Sequence, residues 1–237
     1  MKIAIVPARG GSKRIPDKNI VDFFGAPLMS YSIRAARASG LFDTIHVSTE
    51  SDRIADVAAT LGVPVDFMRD SSLADDHTPL MPVLRWVLEQ YSRREREFDT
   101  VCLLMPTAPL VEADDLKRAH EEFSRWGRHR TVMAVSRFSV PVEWAFRMTA
   151  DKTLTPCQPG MAMVRSQELK PAYYDSGTFI FISGHDVIRG QLDSSPMVGF
   201  ELPRYKAVDI DDVEDLELAK VIFRGLHGAT WDRSSGT

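Results

Sequence analysis

An α/β fold with a largely parallel sheet is predicted by three features. Apolar runs of strand length recur, stretches of helical period lie between them, and a glycine- and cation-rich loop follows the first run. "KIAIVPA" is the first strand. A helix follows over Pro27 to Ser39, with Leu28, Tyr31, Ile33 and Ala35 directed inward, and "TIHVST" is the second strand. Ser51 to Leu61 is a helix with Ser51 or Thr49 as N-cap, because Ile54, Val57, Ala58 and Leu61 fall on one face. A third helix runs from about Thr78 to Glu97. "DTVCLLMPTAPL" is a buried strand that stops at Pro106, a helix covers Glu112 to about Trp126, and "TVMAVSR" is another strand.

Residues 138–171 break this rhythm. They carry Pro141, Pro156, Pro159 and Pro171 with weak strand signals at "EWAFRMT" and "MAMVRS", and are read as an insertion in a single domain spanning residues 1–237. "SGTFIFIS", a short strand near "MVGFEL", and "YKAVDID" follow. A last helix then runs from Asp211 or Asp212 to about Arg224, and the tail "GATWDRSSGT" is expected to fray.

The net charge of −4 argues against nucleic acid or an anionic membrane as the main partner, since both select a basic surface. No apolar run reaches the roughly 18 residues of a membrane span, and Met1-Lys2 leads straight into a strand pattern, so a cytoplasmic protein is expected. Cys102 and Cys157 lack the CxxC spacing of a zinc site and read as buried thiols.

The local positive charge after the first strand therefore needs a local reason. "ARGGSKRIPDKN" occupies the position where open α/β sheets bind ligands. Gly10 and Gly11 permit positive φ and close backbone approach to an anion, Ser12 adds a hydroxyl, and Arg9, Lys13 and Lys18 add charge, which suits a polyphosphate. A solvated basic turn is the plainer reading of the same residues. The spacing matches neither GxxxxGK[ST] nor GxGxxG, which disfavours a P-loop NTPase and a nicotinamide dehydrogenase.

"PARGGSKRIPDKNI", "LLMPTAP" and "VDIDDVEDLELAK", in that order, resemble the CMP-sialate synthetase family of cytidylyltransferases, and "RSQELKPAYYDSGTFIF" is most similar to its pseudaminic-acid-activating branch. The resemblance implies a Rossmann-like, GT-A-like three-layer α/β/α nucleotidyltransferase. Its reaction would transfer CMP from CTP to a nine-carbon 2-keto sugar acid, releasing pyrophosphate with Mg²⁺, or Mn²⁺ in its place. It also implies a homodimer formed through the insertion, where Trp144, Phe146 and Met148 lie. Met105 stands where sialate-activating enzymes carry Gln, and Asp175 where they carry Asn, which favours pseudaminic acid over N-acetylneuraminate. CMP-N-acetylneuraminate and CMP-legionaminate synthesis remain the alternatives. A nucleotide- or sugar-phosphate-binding protein without chemistry is the reading from another class.

By the same resemblance Arg9, Ser12, Lys13 and Lys18 hold the triphosphate, with Ala8, Gly10, Gly11 and Asn19 beside the nucleotide and Arg9 and Lys18 catalytic. The loop is expected to be solvated. Arg69 and the Leu73–Ala74 backbone line the base, although Asp75, Asp76 and His77 also fit a helix cap. Arg165, Arg147, Gln167, Tyr173 and Asp175 meet the sugar acid. Asp209 and Asp211, two apart on a strand end and so on one side, suit Mg²⁺, while Asp211 with Glu214 equally fits a capping box, as does Asp212 as cap. Phe179 and Phe181 fit core packing, and His46, His120 and His129 read as structural.

Overall fold

The computed structural model describes residues 1–75, 78–190 and 197–228. The expectations for Asp76, His77 and residues 229–237 of the tail lie outside the described residues.

The chain enters through strand β1 (Lys2–Pro7), forms a small hairpin of β2 (Asp22–Phe23) and β3 (Ala26–Pro27), and continues into helix α1 (Met29–Ser39). Strand β4 (Thr44–Ser48), helix α2 (Asp52–Thr60) and helix α3 (Leu80–Ser92) follow, then β5 (Thr100–Leu104), α4 (Ala113–Arg125) and β6 (Val132–Arg137). A second hairpin, β7 (Phe146–Met148) with β8 (Leu154–Pro156), occupies the insertion. Strand β9 (Tyr173–Ser183), the short helix α5 (Gly184–Arg189), β10 (Val198–Glu201) and α6 (Val213–His227) complete the chain.

The main sheet has the order β10-β6-β9-β5-β1-β4, with β9 antiparallel to both neighbours and the other pairs parallel. Period-two alternation feeds the two faces separately. Ala4, Val6, Leu104, Phe179 and Phe181 pack under α1, α2 and α4, whereas Ile3, Ile5, Leu103, Ile180 and Ile182 pack under α3 and α5. The result is the three-layer α/β/α arrangement. A further cluster joins Ile15 of the opening loop, Phe23, Leu28, Val208 and Ile210 to Leu216 and Ala219 of α6.

Several expectations change. Cys102 is buried, but Cys157 is exposed on the insertion. The third helix stops at Ser92, short of Glu97, where Glu95 takes the left-handed conformation at φ 58°. The first helix starts at Met29, because Ala26 and Pro27 pair with Phe23 and Asp22. The second strand of the insertion is Leu154–Pro156; "MAMVRS" forms turns instead. Residues 207–211 form no strand, yet Val208 and Ile210 still turn inward, so Asp209 and Asp211 share the opposite side without ladder hydrogen bonds. The last helix is capped by Asp212, which accepts from the Asp215 amide at 3.1 Å while Asp215 accepts from those of Asp212 and Asp211 at 3.0 and 2.9 Å. The Asp211–Glu214 box therefore does not form. Among the described residues, no helix is long and apolar enough to cross a membrane.

Candidate active site

At the carboxyl ends of β1, β4 and β5 the sheet opens into a cavity of about 320 Å³, within the range of small-molecule sites. Arg9, Ser12, Lys13, Arg14, Lys18 and Asn19 of the opening loop line it, together with Arg69 and Leu73, with Met105, Pro106 and Thr107 at the end of β5, and with Asp209 and Asp211.

The loop that carries the cations is built differently from the sequence expectation. Gly10 and Gly11 are not among the positive-φ residues; the left-handed conformation falls on Asp17, at φ 53°. Gly10 instead permits close approach, since a Cβ there would lie 3.1 Å from the Cβ of Ser51. Its amide donates to Glu50 Oε1 at 2.7 Å, and the Ser12 amide donates to the Gly10 carbonyl at 3.0 Å. Ala8 is buried in the core with its amide on the Ser48 carbonyl, and Asn19, also buried, donates its side-chain amide to the Arg9 carbonyl at 2.9 Å. Arg53 of α2 bonds to the Asp17 carboxylate, which ties the loop's far end to the scaffold.

Lys18 departs from the expected solvated loop. Its side chain is only 17% exposed, and its ammonium donates to the Ile210 carbonyl at 2.6 Å and to Asp211 Oδ1 at 3.2 Å. Arg14, to which the family resemblance gives no role, pairs with the other oxygen of Asp211 at 2.9 Å. Partial desolvation opposes ionisation of Asp211, but the hydrogen bonds and charges of Lys18 and Arg14 outweigh it and hold its carboxyl below the ordinary range. Asp209 behaves in the opposite sense. Desolvation first, and then the charge of Asp211, raise its carboxyl above the ordinary value against the pull of Lys18. Its Oδ2 would lie 2.6 Å from a Cβ at position 177, so this carboxylate occupies space that only glycine leaves open. Gly177 has φ 63° and donates its amide to Asp175 Oδ1 at 2.9 Å inside β9, close to where the pairing with β6 shifts register between Met133 and Val135. The Tyr173–Asp175–Gly177 pattern is thus an irregular strand and not a turn.

Arg69 is 6% exposed yet reaches the cavity. Ser48 fixes it, with the hydroxyl accepting from Nε at 3.0 Å and the carbonyl from one terminal nitrogen at 2.5 Å. Burial lowers its proton affinity, Glu50 opposes that, and Arg9 adds to it. Leu73 and Asp75 line the cavity, whereas Ala74 does not; Asp75 accepts from the amide and hydroxyl of Thr78 and so closes a turn ahead of α3 and does not cap it, since the N-cap is Pro79 with no side-chain bond.

The residues assigned to the sugar acid are not brought to this cavity. Arg147, Arg165, Gln167, Tyr173 and Asp175 are all exposed, and none lines it; Asp175 comes nearest, close enough for its charge to act on Asp209. Glu50, Arg14, Thr107 and Gly177 escaped the sequence reading. Glu50 carried one usable signal, its place two residues beyond the end of a parallel strand.

A sequence profile of the family described as cytidylyltransferase matches residues 3–220. The chain is 37% identical over 226 residues to a pseudaminic acid cytidylyltransferase of Campylobacter jejuni, covering 95% of this chain and 97% of that one. It is 36% identical over 142 residues to a CMP-N,N'-diacetyllegionaminic acid synthase of Legionella pneumophila, covering 60% of each. Among solved structures, CMP:2-keto-3-deoxy-manno-octonic acid synthetase complexed with CTP superposes with a TM-score of 0.68 at 17% identity, over 95% of this chain and 99% of that one. At that identity the likeness speaks to the fold alone.

Proposed function

The chain belongs to the cytidylyltransferase family, and from that premise we propose that it couples CTP to a nine-carbon 2-keto sugar acid, pseudaminic acid, releasing pyrophosphate. The observation that carries the reading is the arrangement of charge. Arg9, Lys13, Lys18 and Arg69 line one cavity together with Asp209 and Asp211, and Lys18 lies directly against Asp211. A triphosphate laid in it meets cations along its β- and γ-phosphates. The anomeric hydroxyl oxygen of the sugar acid attacks the α-phosphorus, its proton passes to water, and the bond from the α-phosphorus to the oxygen that bridges to the β-phosphate breaks. Arg9 and Lys18 offset the charge that grows on the departing pyrophosphate. Arg69, rigidly held by Ser48, presents its remaining N–H groups to the cytosine acceptors.

Two carboxylates on one wall form a hard oxygen donor set, and the missing Cβ at Gly177 leaves Asp209 room to turn to the cavity. Two protein carboxylates suit Mg²⁺, an ion that keeps waters and phosphate oxygens as its other ligands. Asp209 and Asp211 would hold it, and it would supply charge neutralisation at the phosphates. Lys18 and Arg14 meanwhile keep Asp211 ionised.

The sugar acid is recognised in part by a second copy of the chain. Residues 138–171 expose Phe138, Val140, Val142, Phe146, Met148, Leu154 and Met163, an apolar surface of the kind that marks an interface. Arg147, Arg165 and Gln167 lie on the same insertion, away from their own chain's cavity, in position to serve a partner's.

Pyrophosphate release from CTP and Mg²⁺ tests the reaction, with pseudaminic, legionaminic and N-acetylneuraminic acids and 3-deoxy-manno-octulosonate supplied separately. Release with pseudaminic acid is expected. Release with another acid alone would move the substrate, and silence with all four from folded protein would favour binding without chemistry. Light scattering giving a monomer mass would remove the dimer.

A further inference from the structure

A site that receives a triphosphate has little reason to keep a carboxylate against its phosphate loop. Glu50 is nonetheless there, on the link between β4 and α2. Its Oε1 accepts the Gly10 amide at 2.7 Å, and its Oε2 is enclosed with no hydrogen-bond partner. The buried guanidinium of Arg69 feels its charge, and Arg69 is itself bound into the same link, its amide donating to the Thr49 carbonyl at 2.7 Å. The loop backbone passes so close that a Cβ at Gly10 would lie 3.5 Å from Glu50 Oε1 and 3.1 Å from Ser51 Cβ. Three parts of the site therefore meet at one side chain: the start of the phosphate loop, the end of β4 and the base-side arginine.

We propose that Glu50 is a positioning residue that orders the phosphate loop through the Gly10 amide and sets Arg69 through its charge. The Gly10 N–H is then structural and unavailable to phosphate, and triphosphate recognition rests on the side chains of Arg9, Ser12, Lys13 and Lys18. The repulsion between Glu50 and the triphosphate is offset by a loop held in place before the nucleotide arrives, because ordering a loop on binding costs affinity. This inference rests on the CTP reading given above.

The test separates the acceptor from the charge. Glu50→Gln and Glu50→Ala both remove the negative charge, but only alanine removes the oxygen that receives the Gly10 amide. In the full chain, calorimetry with tripolyphosphate should show the alanine variant binding up to about tenfold more weakly than the glutamine variant, the scale of one lost neutral hydrogen bond. Cytidine should bind more weakly in both variants, and Glu50→Ala should add nothing in an Arg69→Ala background. Equal tripolyphosphate binding by the two variants, each with an intact melting transition, would overturn the proposal. Should the alanine variant not fold, Glu50→Asp is compared with wild type instead, since the shorter side chain keeps the charge and withdraws the acceptor, and equal tripolyphosphate binding by those two would likewise overturn the proposal. Wild-type protein that binds neither CTP nor tripolyphosphate would overturn the CTP reading itself, an outcome distinct from equal variants.

Discussion

Replacing Gly177 by alanine perturbs the site through two separable effects. The backbone there has φ 63°, a conformation that costs a non-glycine residue about 1 kcal/mol or more. The added Cβ would also stand 2.6 Å from Asp209 Oδ2, whereas ordinary contact begins at 3.4 Å, so the carboxylate must retreat by 3.4 − 2.6 = 0.8 Å. A misplacement of about 1 Å in a catalytic arrangement costs about 100-fold in rate. Gly25 supplies the control, because it has φ 78° with open space where its Cβ would go. Both alanine variants should lose a few degrees of melting temperature, about 2–4 °C per kcal/mol for a chain of this size. Only Gly177→Ala should lose about two orders of magnitude in kcat/KM for pyrophosphate release and shift the Mg²⁺ titration upward. A folded Gly177→Ala variant with kcat/KM within about threefold of wild type would refute the claim that Asp209 acts from this position.

Lys18→Ala should lower turnover by about two to three orders of magnitude, as for removal of one transition-state donor. It should also lower stability measurably in urea, because the ammonium bridges the Ile210 carbonyl and Asp211. A change in turnover with no change in stability would show that these bonds contribute nothing to the fold. Burial depresses His46 from 6.5 to about 4, so the folded protein keeps it neutral while the unfolded chain protonates it. The stability that depends on neutral His46 is complete above pH 6.5 and lost as pH falls toward 4, by about 2 kcal/mol between pH 7 and pH 5. Urea unfolding at the two pH values reads it, and a His46→Gln variant with the same pH slope would assign the loss elsewhere. Lys206 donates to Asp115 and Glu112 at 2.7 Å each, and Asp115 is 1% exposed. Lys206→Ala leaves the buried carboxylate with Arg118, at 3.2 Å, and the Glu112 amide, at 2.9 Å, and should cost about 1–3 kcal/mol in chemical unfolding; a loss under about 0.5 kcal/mol would mean that these two partners satisfy Asp115 without the ammonium.

Helix and strand periods are local properties, and most of them survive folding unchanged. Ile54 and Ala58 of α2 are buried, as are Phe179 with Phe181 and Ile180 with Ile182 on opposite faces of β9, as the spacing of those residues implies. The opening loop was legible as chemistry for the same reason: its cations are concentrated just beyond the end of a strand. The insertion was legible as a break in rhythm, but its second strand was misplaced, since three-residue strands carry too little pattern to be found.

The sequence by itself therefore determined the α/β architecture, the cationic loop beyond the first strand and the pair of aspartates, because each depends on residue types at short spacing. Tertiary structure alone decided what those residues do to one another. Val208 and Ile210 enter the same cluster as Ile15, which brings Asp211 to Lys18 and Arg14 across nearly the whole length of the chain. The bulged β9 sets Gly177 against Asp209, and the β4–α2 link carries Glu50 to Gly10. Such contacts join segments far apart in sequence, and a one-dimensional pattern records neither their distances nor the burial that raises an acid's proton affinity.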